Sequence, residues 1–489
     1  MKKYIVSLLV LFVIFGCEDF LEEEVYTEFE PDAFLQDQSG IDALLTGAYG
    51  QLDLTDFGGG RDYTIILGEF PTDIAWETGG GLERSVIPIM GFNWDPTIEY
   101  FDGRYNELYS AIAAANNVLL VTSTVDGVNQ EILSKAEAEA RFIRGMGYYL
   151  LHNLFGPTPI IEIPDGATLD EIEVIGRETA RATEEEYRKY VEEDLLFAAD
   201  NLDFGGVSSR ANRGSALALL TKFYLNNKQW LKAAESAEEV INEGGYDLYN
   251  DYTTLFSVDG EDNNEYIFRF ECVVGSDQQN IYIPHAFPPN YPIQTNWENF
   301  GAQFRTYTSF YETFENNDIR KNLLLNEYVP TSTGVLTPLD RNEAGEALDD
   351  VRSFKYLPDP NAAGRFNGND IPYVRLADII LARAEALNEI NGPNQESIDL
   401  INIIRNRASA TPIELNDFTS LENLRDFILA ERGREFYTEG LRREDLIRHG
   451  KFIQQALDRG INAQEFQSLY PLPQPQIDNN PNLEQNPGY

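Results

Sequence analysis

Cys17 is the residue whose position most directly suggests covalent chemistry, because it closes a segment typical of exported proteins. Two lysines precede an apolar run over residues 4–15, and Gly16 places a small residue directly before the thiol. This order of cationic, apolar and small residues predicts a signal peptide over residues 1–16, too short to span a membrane. A thiol at the cleavage point can accept a lipid before cleavage. We therefore expect an acylated Cys17 as the mature N-terminus.

The alternative is an ordinary secretory signal peptide with a cysteine nearby by chance. Ile14 and Phe15 depart from the leucine and small residue usual before a lipidated cysteine. Lipidation is nevertheless favoured, since Cys272 is the only other cysteine and two distant thiols make no disulfide framework. Cys272 lies in an apolar run and is expected to be buried. The acidic stretch over 17–30 is predicted to be a solvated tether.

The charge balance limits the classes of partner that this protein can bind. Lys plus Arg number 37 and Asp plus Glu number 81, which gives a net charge of −44. Such a surface repels phosphate backbones and anionic lipid headgroups, so nucleic acid and peripheral membrane binding are not expected. The membrane link would be the lipid itself, and stable anchoring takes two or three acyl chains.

Motifs for catalysis or metal binding are missing from the sequence. The three histidines, His152, His285 and His449, are scattered and form no HExxH or zinc spacing. The glycine runs at 58–60 and 79–81 lack the strand and helix context of a phosphate loop. The oxygen-rich segment 259–265 does not have EF-hand spacing, so we expect an acidic loop there and no calcium site. We expect no catalytic residue, metal or cofactor.

Helical periodicity dominates both ends of the chain. Apolar residues recur every three or four positions from Ala136 to Leu154, and Gly156 ends that pattern. Thr183 and Glu186 have the spacing of a capping box that opens the next helix.

Helix pairs then follow at the spacing of a tetratricopeptide repeat. One pair covers 217–240 with its turn at 226–230, and a second covers 376–408 with its turn at 391–393. A further helix is predicted over 421–436. Such pairs bury their faces only by stacking, so the predicted fold is mostly α, a tetratricopeptide-like superhelix with a loop-rich insertion and a few short strands.

We expect a single domain over 31–489 with three parts. These are an N-terminal helical part over 31–244 with loops near 55–100 suited to binding, an irregular insertion over 245–370, and a C-terminal helical part over 371–489. The insertion holds a strand-like run from Glu265 to Val274, and a long irregular stretch in a compact protein usually carries function. The proline-rich end from Tyr470 is predicted to be too rich in proline for helix and to lie extended.

Ten segments in order along the chain resemble the SusD/RagB family. They are Cys17–Leu21 (CEDFL), 140–145 (ARFIRG), 154–159 (LFGPTP), 212–220 (NRGSALALL), 316–320 (NNDIR), 374–378 (VRLAD), 384–388 (AEALN), 403–408 (IIRNRA), 431–436 (ERGREF) and 480–489 (NPNLEQNPGY). The resemblance implies a non-catalytic lipoprotein, anchored in the outer membrane and exposed at the cell surface. It would capture a glycan and deliver it to a SusC-like TonB-dependent transporter.

Most of these segments are expected to be scaffold. Glu431, Arg432, Arg434 and Glu435 have spacings that favour ion pairs within or between helices, as do Arg141 and Arg144. Asp318–Arg320 is predicted to clamp a turn.

Exposed aromatic platforms beside amides, carboxylates or guanidinium groups are what a glycan needs. Three of the four tryptophans, Trp76, Trp94 and Trp297, lie in irregular segments, whereas Trp230 is expected to pack at a helix turn. The predicted glycan-contacting residues are Asp73, Trp76, Asn93, Trp94, Tyr291, Asn296 and Trp297. For Trp76 and Trp94 a loop anchor is an equal alternative, and Trp297 is favoured as a sugar platform.

Two other functions remain open at this point. A helical glycoside hydrolase would use two carboxylates, and 81 acidic residues do not exclude such a pair. A periplasmic solute-binding lipoprotein would need two α/β lobes and a hinge, which the helix pairs oppose. The glycan itself is not predictable, although the negative charge slightly favours a neutral one such as a β-glucan.

Overall fold

The computed structural model describes residues 38–52, 56–57, 63–78, 83–125, 127–164, 166–206, 208–275, 279–301 and 303–489. The predicted signal peptide, Cys17, the acidic tether over 17–30 and both glycine runs lie outside the described residues.

The fold is mostly helical, as predicted. The helices are α1 (Gln38–Gln51), α2 (Tyr63–Gly68), α3 (Glu83–Met90), α4 (Glu99–Thr124), α5 (Gln130–Phe155), α6 (Leu169–Glu178), α7 (Glu184–Asn201), α8 (Arg213–Asn226), α9 (Trp230–Glu243), α10 (Tyr282–Ala286), α11 (Thr308–Tyr311), α12 (Leu376–Asn391), α13 (Gln395–Arg407), α14 (Leu421–Phe436), α15 (Arg442–Arg448), α16 (Phe452–Asp458) and α17 (Gln474–Asn479). The short strands are β1 (Asp56–Phe57), β2 (Ala75–Glu77), β3 (Tyr266–Phe270), β4 (Gln279–Asn280), β5 (Phe304–Thr306), β6 (Leu324–Leu325), β7 (Glu327–Tyr328), β8 (Thr337–Pro338), β9 (Arg352–Ser353) and β10 (Ile371–Arg375).

The long helices stack in series. Helix α1 packs on α4, α4 on α5, α5 on α7, α7 on α8 and α8 on α9. The series continues directly from α9 to α12, and α12 packs on α13 and α14. The predicted helix pairs are therefore present, and the insertion between α9 and α12 leaves the stack and returns to it.

Local sequence sets the limits of these helices. Helix α5 begins at Gln130, earlier than its apolar pattern suggests, because the Asn129 side chain caps it by accepting from the Glu131 N–H. It ends at Gly156, whose φ of 74° favours glycine. The capping box of Thr183 and Glu186 is present at the start of α7.

The stem of the insertion is a two-stranded antiparallel ladder. Strand β3 confirms the strand-like run that begins near Glu265, and it pairs with β10, so that Tyr266 lies opposite Arg375. Cys272 follows β3 and is buried, as expected. Strand β2, from the early loops, pairs with β5 inside the insertion, and Trp76 lies opposite Arg305. This second pairing attaches the early loop to the insertion.

Buried ion pairs join the C-terminal helices to the insertion. The Glu435 carboxylate on α14 lies 3.0 Å from Arg320 and 2.6 Å from Arg375, and all three side chains are almost fully buried. Burying charge is costly unless every charge is paired, so this cluster acts as a unit. The Asp318 carboxylate accepts from the Arg320 guanidinium at 2.9 and 2.7 Å, which confirms the turn clamp.

The other predicted ion pairs are also scaffold. Arg432 pairs with Asp378 and Asp445, and Arg434 with Glu431. The Arg144 guanidinium binds Asp194 at 2.7 Å, and Arg141 binds the same carboxylate at 3.3 Å.

The prediction that the proline-rich end holds no helix is wrong at one place. Helix α17 forms there, with proline in its first turn, where a missing N–H costs no intrahelical hydrogen bond. Elsewhere the end lies across the helical stack. Asn486 donates to the carbonyls of Phe155 and Tyr470, which ties the last residues to the end of α5.

Within the described ranges, no helix is both long enough and apolar enough to cross a membrane. The same ranges contain no group of three or more His, Cys, Asp or Glu residues able to hold a metal ion.

Candidate functional site

Trp297 is held in the insertion as a rigid, half-buried ring. Its indole N–H donates to the Asp359 carbonyl at 2.9 Å. Its ring stacks on buried Phe287, with centroids 5.9 Å apart and planes 17° apart. A ring fixed at its edge and stacked on the core keeps its orientation when a ligand arrives.

Tyr291 stacks on the same phenylalanine. The Tyr291 and Phe287 centroids are 5.2 Å apart with planes at 20°, and burial raises the pKa of the Tyr291 phenol. Tyr328 on β7 lies 6.2 Å from Tyr291 and donates its hydroxyl to the Pro289 carbonyl at 2.9 Å. We call half-buried Tyr291, Trp297 and Tyr328, together with the buried Phe287 on which Tyr291 and Trp297 stack, the aromatic surface.

Asn296 ties the loop over 360–364 to this surface. Its side-chain amide nitrogen donates to the carbonyls of Pro360 and Ala362, at 3.1 and 2.9 Å. The backbone adds Gly364 N–H to Asn296 O at 2.9 Å and Glu298 N–H to Gly364 O at 3.1 Å. Since both amide hydrogens are used internally, the main role that the structure gives Asn296 is to fix the loop.

Trp76 forms a separate aromatic cluster on β2. Its indole N–H donates to the Asp349 carbonyl at 2.8 Å, and its ring stacks on Tyr307 at 6.3 Å. The Arg305 guanidinium lies 5.0 Å from the Trp76 ring centroid. We call Trp76, Arg305 and Tyr307 the Trp76 patch. It is half-buried, and its neighbours occupy part of the indole surface.

Asp73 is a structural partner of the last third of the chain. Its carboxylate accepts two hydrogen bonds from the Arg442 guanidinium, at 2.8 and 2.7 Å. Burial alone would raise the pKa of Asp73, but Arg442 outweighs it and the pKa is lowered. The carboxylate is thus committed to anchoring the loop before β2.

Trp94 lies in the core, which agrees with the loop-anchor alternative. Only 8% of it is exposed, and its indole N–H donates to the Ile89 carbonyl at 2.9 Å. Its ring packs against Phe92 and Tyr470, with centroids 4.8 and 4.5 Å away. This arrangement leaves no open ring face for a sugar. The neighbouring Asn93 is exposed.

One segment of the chain, around β9, supports both the aromatic surface and the Trp76 patch. Asp349 and Asp359, which accept from Trp76 and Trp297, lie in the same segment around β9. Fully buried Arg352 on this segment donates to the Phe304 carbonyl at 3.4 Å and pairs with Asp350. The structure therefore attaches both groups to one segment, a connection that the sequence does not reveal.

Residues that were not predicted complete the aromatic surface and the Trp76 patch. Phe287, Tyr328, Arg305 and Tyr307 were missed because the prediction started from tryptophans, and the chain has 26 tyrosines and 29 phenylalanines. Alternation along a strand would have placed Arg305 and Tyr307 on one face. The partner of that face, Trp76, depends on a pairing that the sequence does not specify.

A carboxyl pair with shifted pKa values lies near the stem of the insertion. Burial, reinforced by the neighbouring Asp370, raises the pKa of Glu261 to about 9, and burial raises that of Asp370 to about 6. Glycosidases hold their carboxyl groups about 5–5.5 Å or about 6.5–9.5 Å apart, so that the scissile bond fits between them. The Asp370 carboxylate is instead paired with the Arg269 guanidinium at 3.0 Å and accepts from the Cys272 N–H at 2.8 Å, which commits it to the stem of the insertion.

Two separate segments of the chain match the sequences of known protein families. Residues 289–489 match the SusD family, and residues 19–225 match a family described as starch-binding, associating with the outer membrane.

Relatives match across nearly the full length. A SusD-like protein of Formosa agariphila is 26% identical, covering 99% of this chain and 97% of the relative. The starch-binding protein SusD of Bacteroides thetaiotaomicron is 25% identical over 87% of this chain and 85% of its own.

Solved structures share the fold. A SusD homologue from Bacteroides thetaiotaomicron superposes with a TM-score of 0.81 at 22% identity, covering 96% of this chain and all of that one. A laminarin-binding SusD-like protein superposes with a TM-score of 0.77 at 23% identity, covering 93% and 100%. The two matched sequence segments, the relatives and the shared helical fold lead to one conclusion: the chain belongs to the SusD/RagB family.

Proposed function

We propose that the protein is a lipid-anchored, surface-exposed outer-membrane protein that binds an oligo- or polysaccharide without cleaving it and hands it to a SusC-like TonB-dependent transporter. The names of the relatives support glycan binding, since they include a starch-binding and a laminarin-binding protein. The family description of starch binding in association with the outer membrane supports the location.

The observation that carries the proposal is the stacking of Tyr291 and Trp297 on Phe287. Sugars present apolar C–H faces, which pack against aromatic rings, and hydroxyls, which need polar neighbours. Both rings are half-buried and held by the core, so a ligand gains contact without ordering them first. The Trp76 patch is the second group proposed to contact the glycan, because Arg305 beside Trp76 can donate to hydroxyls.

Capture and transfer need no chemical step by this chain. A lipid on Cys17 would hold the protein at the membrane, and tethering raises the effective concentration of bound glycan near a transporter. Modest affinity at the aromatic surface is then sufficient. The net charge of −44 favours a neutral glycan.

The test is glycan binding by Trp297→Ala, measured by calorimetry and affinity gels against starch, laminarin and other neutral polysaccharides. Affinity is expected to fall roughly tenfold, because truncating an aromatic side chain that anchors a ligand costs about 1–2 kcal/mol and about 1.4 kcal/mol is a factor of ten. Trp230→Ala is the matched control, since Trp230 is also half-buried but begins α9 in the helical stack. Equal affinity of the two variants would remove the aromatic surface from the proposal.

Two further measurements address the rest of the proposal. No reducing ends should appear when the protein is incubated with the glycan that it binds. Purification from detergent-solubilised outer membrane should recover a TonB-dependent transporter with the protein, and recovery of the protein alone would contradict delivery to such a partner.

A further inference from the structure

A cavity of about 320 Å³ lies at the C-terminal end of the chain, between α4, α6 and α17. Its lining includes Tyr105, Asn106, Tyr109, Arg177, Gln476 and Asn479. None of these residues belongs to the aromatic surface or to the Trp76 patch. Ligand pockets in proteins occupy about 300–1,000 Å³, so the volume suits a small ligand. We call it the C-terminal cavity.

Side-chain amides supply the polar groups of this cavity. Gln476 donates to the Asn106 amide oxygen at 2.9 Å and to Asp102 at 3.0 Å, which fixes both side chains. Asn106 and Asn479 are both exposed, so water hydrates their amide groups until a ligand displaces it. The cavity thus offers donors and acceptors that a ligand can use.

Two tyrosines form an ordered aromatic wall. Tyr109 is half-buried and donates its hydroxyl to the Pro159 carbonyl at 2.7 Å. Its ring lies 4.7 Å from that of buried Tyr105. Because the hydroxyl and the neighbouring ring hold Tyr109 in place, the wall presents a fixed apolar face beside the amides.

The charge of the lining argues for a neutral ligand. Arg177 is the only cation among the lining residues, and its guanidinium pairs with Glu173 at 2.9 Å. An anion would find no unpaired positive charge there, and a purely apolar ligand would displace water from the amides of Asn106 and Asn479 without replacing its hydrogen bonds. An aromatic face beside neutral amides is the combination that suits a sugar ring and its hydroxyls.

We propose that the C-terminal cavity is a second carbohydrate-binding site, which takes one or two neutral sugar units at a chain end or branch. The choice of ligand class rests on the proposed function, whereas the site is independent of the aromatic surface. A glycan held at two places dissociates more slowly than one held at either alone.

The test uses the full chain carrying Tyr291→Ala and Trp297→Ala, which disables the aromatic surface. Saturation-transfer NMR is recorded with glucose, galactose, xylose, maltose, cellobiose and laminaribiose as probes. At least one sugar should still bind to this background. Adding Asn479→Trp, which places a bulky side chain in the cavity, should weaken that binding at least tenfold. Asp478→Trp is the matched control, because Asp478 is the neighbouring exposed residue and does not line the cavity.

Each outcome has one meaning. If no probe binds once the aromatic surface is disabled, the cavity is not a sugar site and the proposed function stands on the aromatic surface. If Asn479→Trp and Asp478→Trp bind equally, the cavity is also excluded. If Tyr291→Ala and Trp297→Ala leave the affinity for polysaccharide unchanged and Asn479→Trp by itself abolishes binding, the cavity is supported and the aromatic surface is not.

Discussion

Trp297 donates its indole N–H to the backbone carbonyl of Asp359, 2.9 Å away, across 62 positions of sequence. Trp76 makes the same kind of bond, at 2.8 Å, to the carbonyl of Asp349. Both rings are therefore oriented by one short segment, which runs from Asp349 to Asp359. A change that loosens this segment should weaken glycan binding even if it touches no aromatic residue.

Asn296→Ala tests this coupling. The substitution removes the two hydrogen bonds to Pro360 and Ala362 and should free the loop over 360–364. Ordering the loop again on binding costs free energy, so affinity for the bound glycan should fall roughly twofold to fivefold. Calorimetry gives the affinity, and hydrogen exchange gives the protection of the loop.

Asn342→Ala is the control for Asn296→Ala. Asn342 is a partly exposed asparagine whose side-chain amide donates to Glu346 within a loop separate from the one over 360–364. It should leave both affinity and exchange at 360–364 unchanged. Faster exchange in Asn296→Ala without any loss of affinity would show that the loop does not support the aromatic surface.

Cys17→Ala tests the anchor. Without the thiol no lipid can be attached, so the protein should move from the outer-membrane fraction to the soluble fraction. Cell fractionation with immunoblotting measures the change, and mass spectrometry of the N-terminus identifies the acyl chains. Cys272→Ala, at the buried cysteine, should stay in the membrane fraction. A Cys17→Ala protein that remains membrane-bound would contradict lipid anchoring.

The helical stack was predictable because its signals are local. The turn at 226–230, the capping box of Thr183 and Glu186, and the ion-pair spacing of α14 each depend on residues within a few positions. Periodicity fixes which face of each helix is buried, and stacking follows from it. These features needed no knowledge of distant partners.

The candidate site was only partly predictable because its contacts are distant in sequence. Trp94 is an equally plausible platform or anchor until Tyr470, far along the chain, covers it. Trp76 acquires Arg305 and Tyr307 only through the pairing of β2 with β5. Asp73 and Asn296 have the right chemistry for a sugar, but their polar groups are already used by Arg442 and by the loop over 360–364.

Glu435→Gln should destabilise the whole domain. Its carboxylate pairs with Arg320, Arg375 and Arg407, all buried. Removing one partner of a buried ion pair leaves uncompensated charge and costs about 3–5 kcal/mol. Urea unfolding followed by circular dichroism measures the loss. Glu312→Gln, which breaks the exposed pair with Arg341, should cost no more than about 1 kcal/mol. Similar losses in the two variants would show that the buried cluster is not a stabilising unit.

Glu431 links stability to acid pH. Burial alone would raise its pKa, but Arg320, Arg434 and Arg405 outweigh burial and lower the pKa to about 2. The unfolded chain binds a proton near pH 4.5 and the folded chain does not. The stability that this carboxylate contributes is therefore complete above pH 4.5 and is lost as the pH falls towards 2.

We expect the protein and Glu431→Gln to become more similar in unfolding free energy as the pH falls. Their difference in unfolding free energy should be constant from pH 7 to 6. It should shrink by about 1 kcal/mol between pH 5 and 3.5, since one proton changes stability by about 1.4 kcal/mol per pH unit. Urea titrations at these pH values measure it. Glu343→Gln, on an exposed loop, should show no such trend. A difference in unfolding free energy that stays constant down to pH 3.5 would mean that Glu431 is not held ionised by its arginines.

Gly440 and Gly68 bring α2 and the segment before α15 into backbone contact. A Cβ at Gly440 would lie 2.5 Å from the Thr64 methyl carbon and 2.7 Å from the Thr64 carbonyl oxygen. Buried Glu69 accepts hydrogen bonds from the N–H groups of Thr438 and Gly440 at the same place, at 2.6 and 3.1 Å. The contact leaves no room for a side chain, so Gly440→Ala should force the two segments apart.

Gly450→Ala separates this steric effect from backbone strain. Gly440 and Gly450 have φ values of +75° and +67°, but a Cβ at Gly450 would meet nothing within 4 Å. A left-handed alanine costs roughly 1–2 kcal/mol, which both variants should lose. Gly440→Ala should lose about 1–3 kcal/mol more, the usual cost of overpacking. Because Asp73 holds Arg442 two residues after Gly440, this variant should also disturb the loop that carries Trp76. Equal unfolding free energies for the two variants would show that the close approach is not needed.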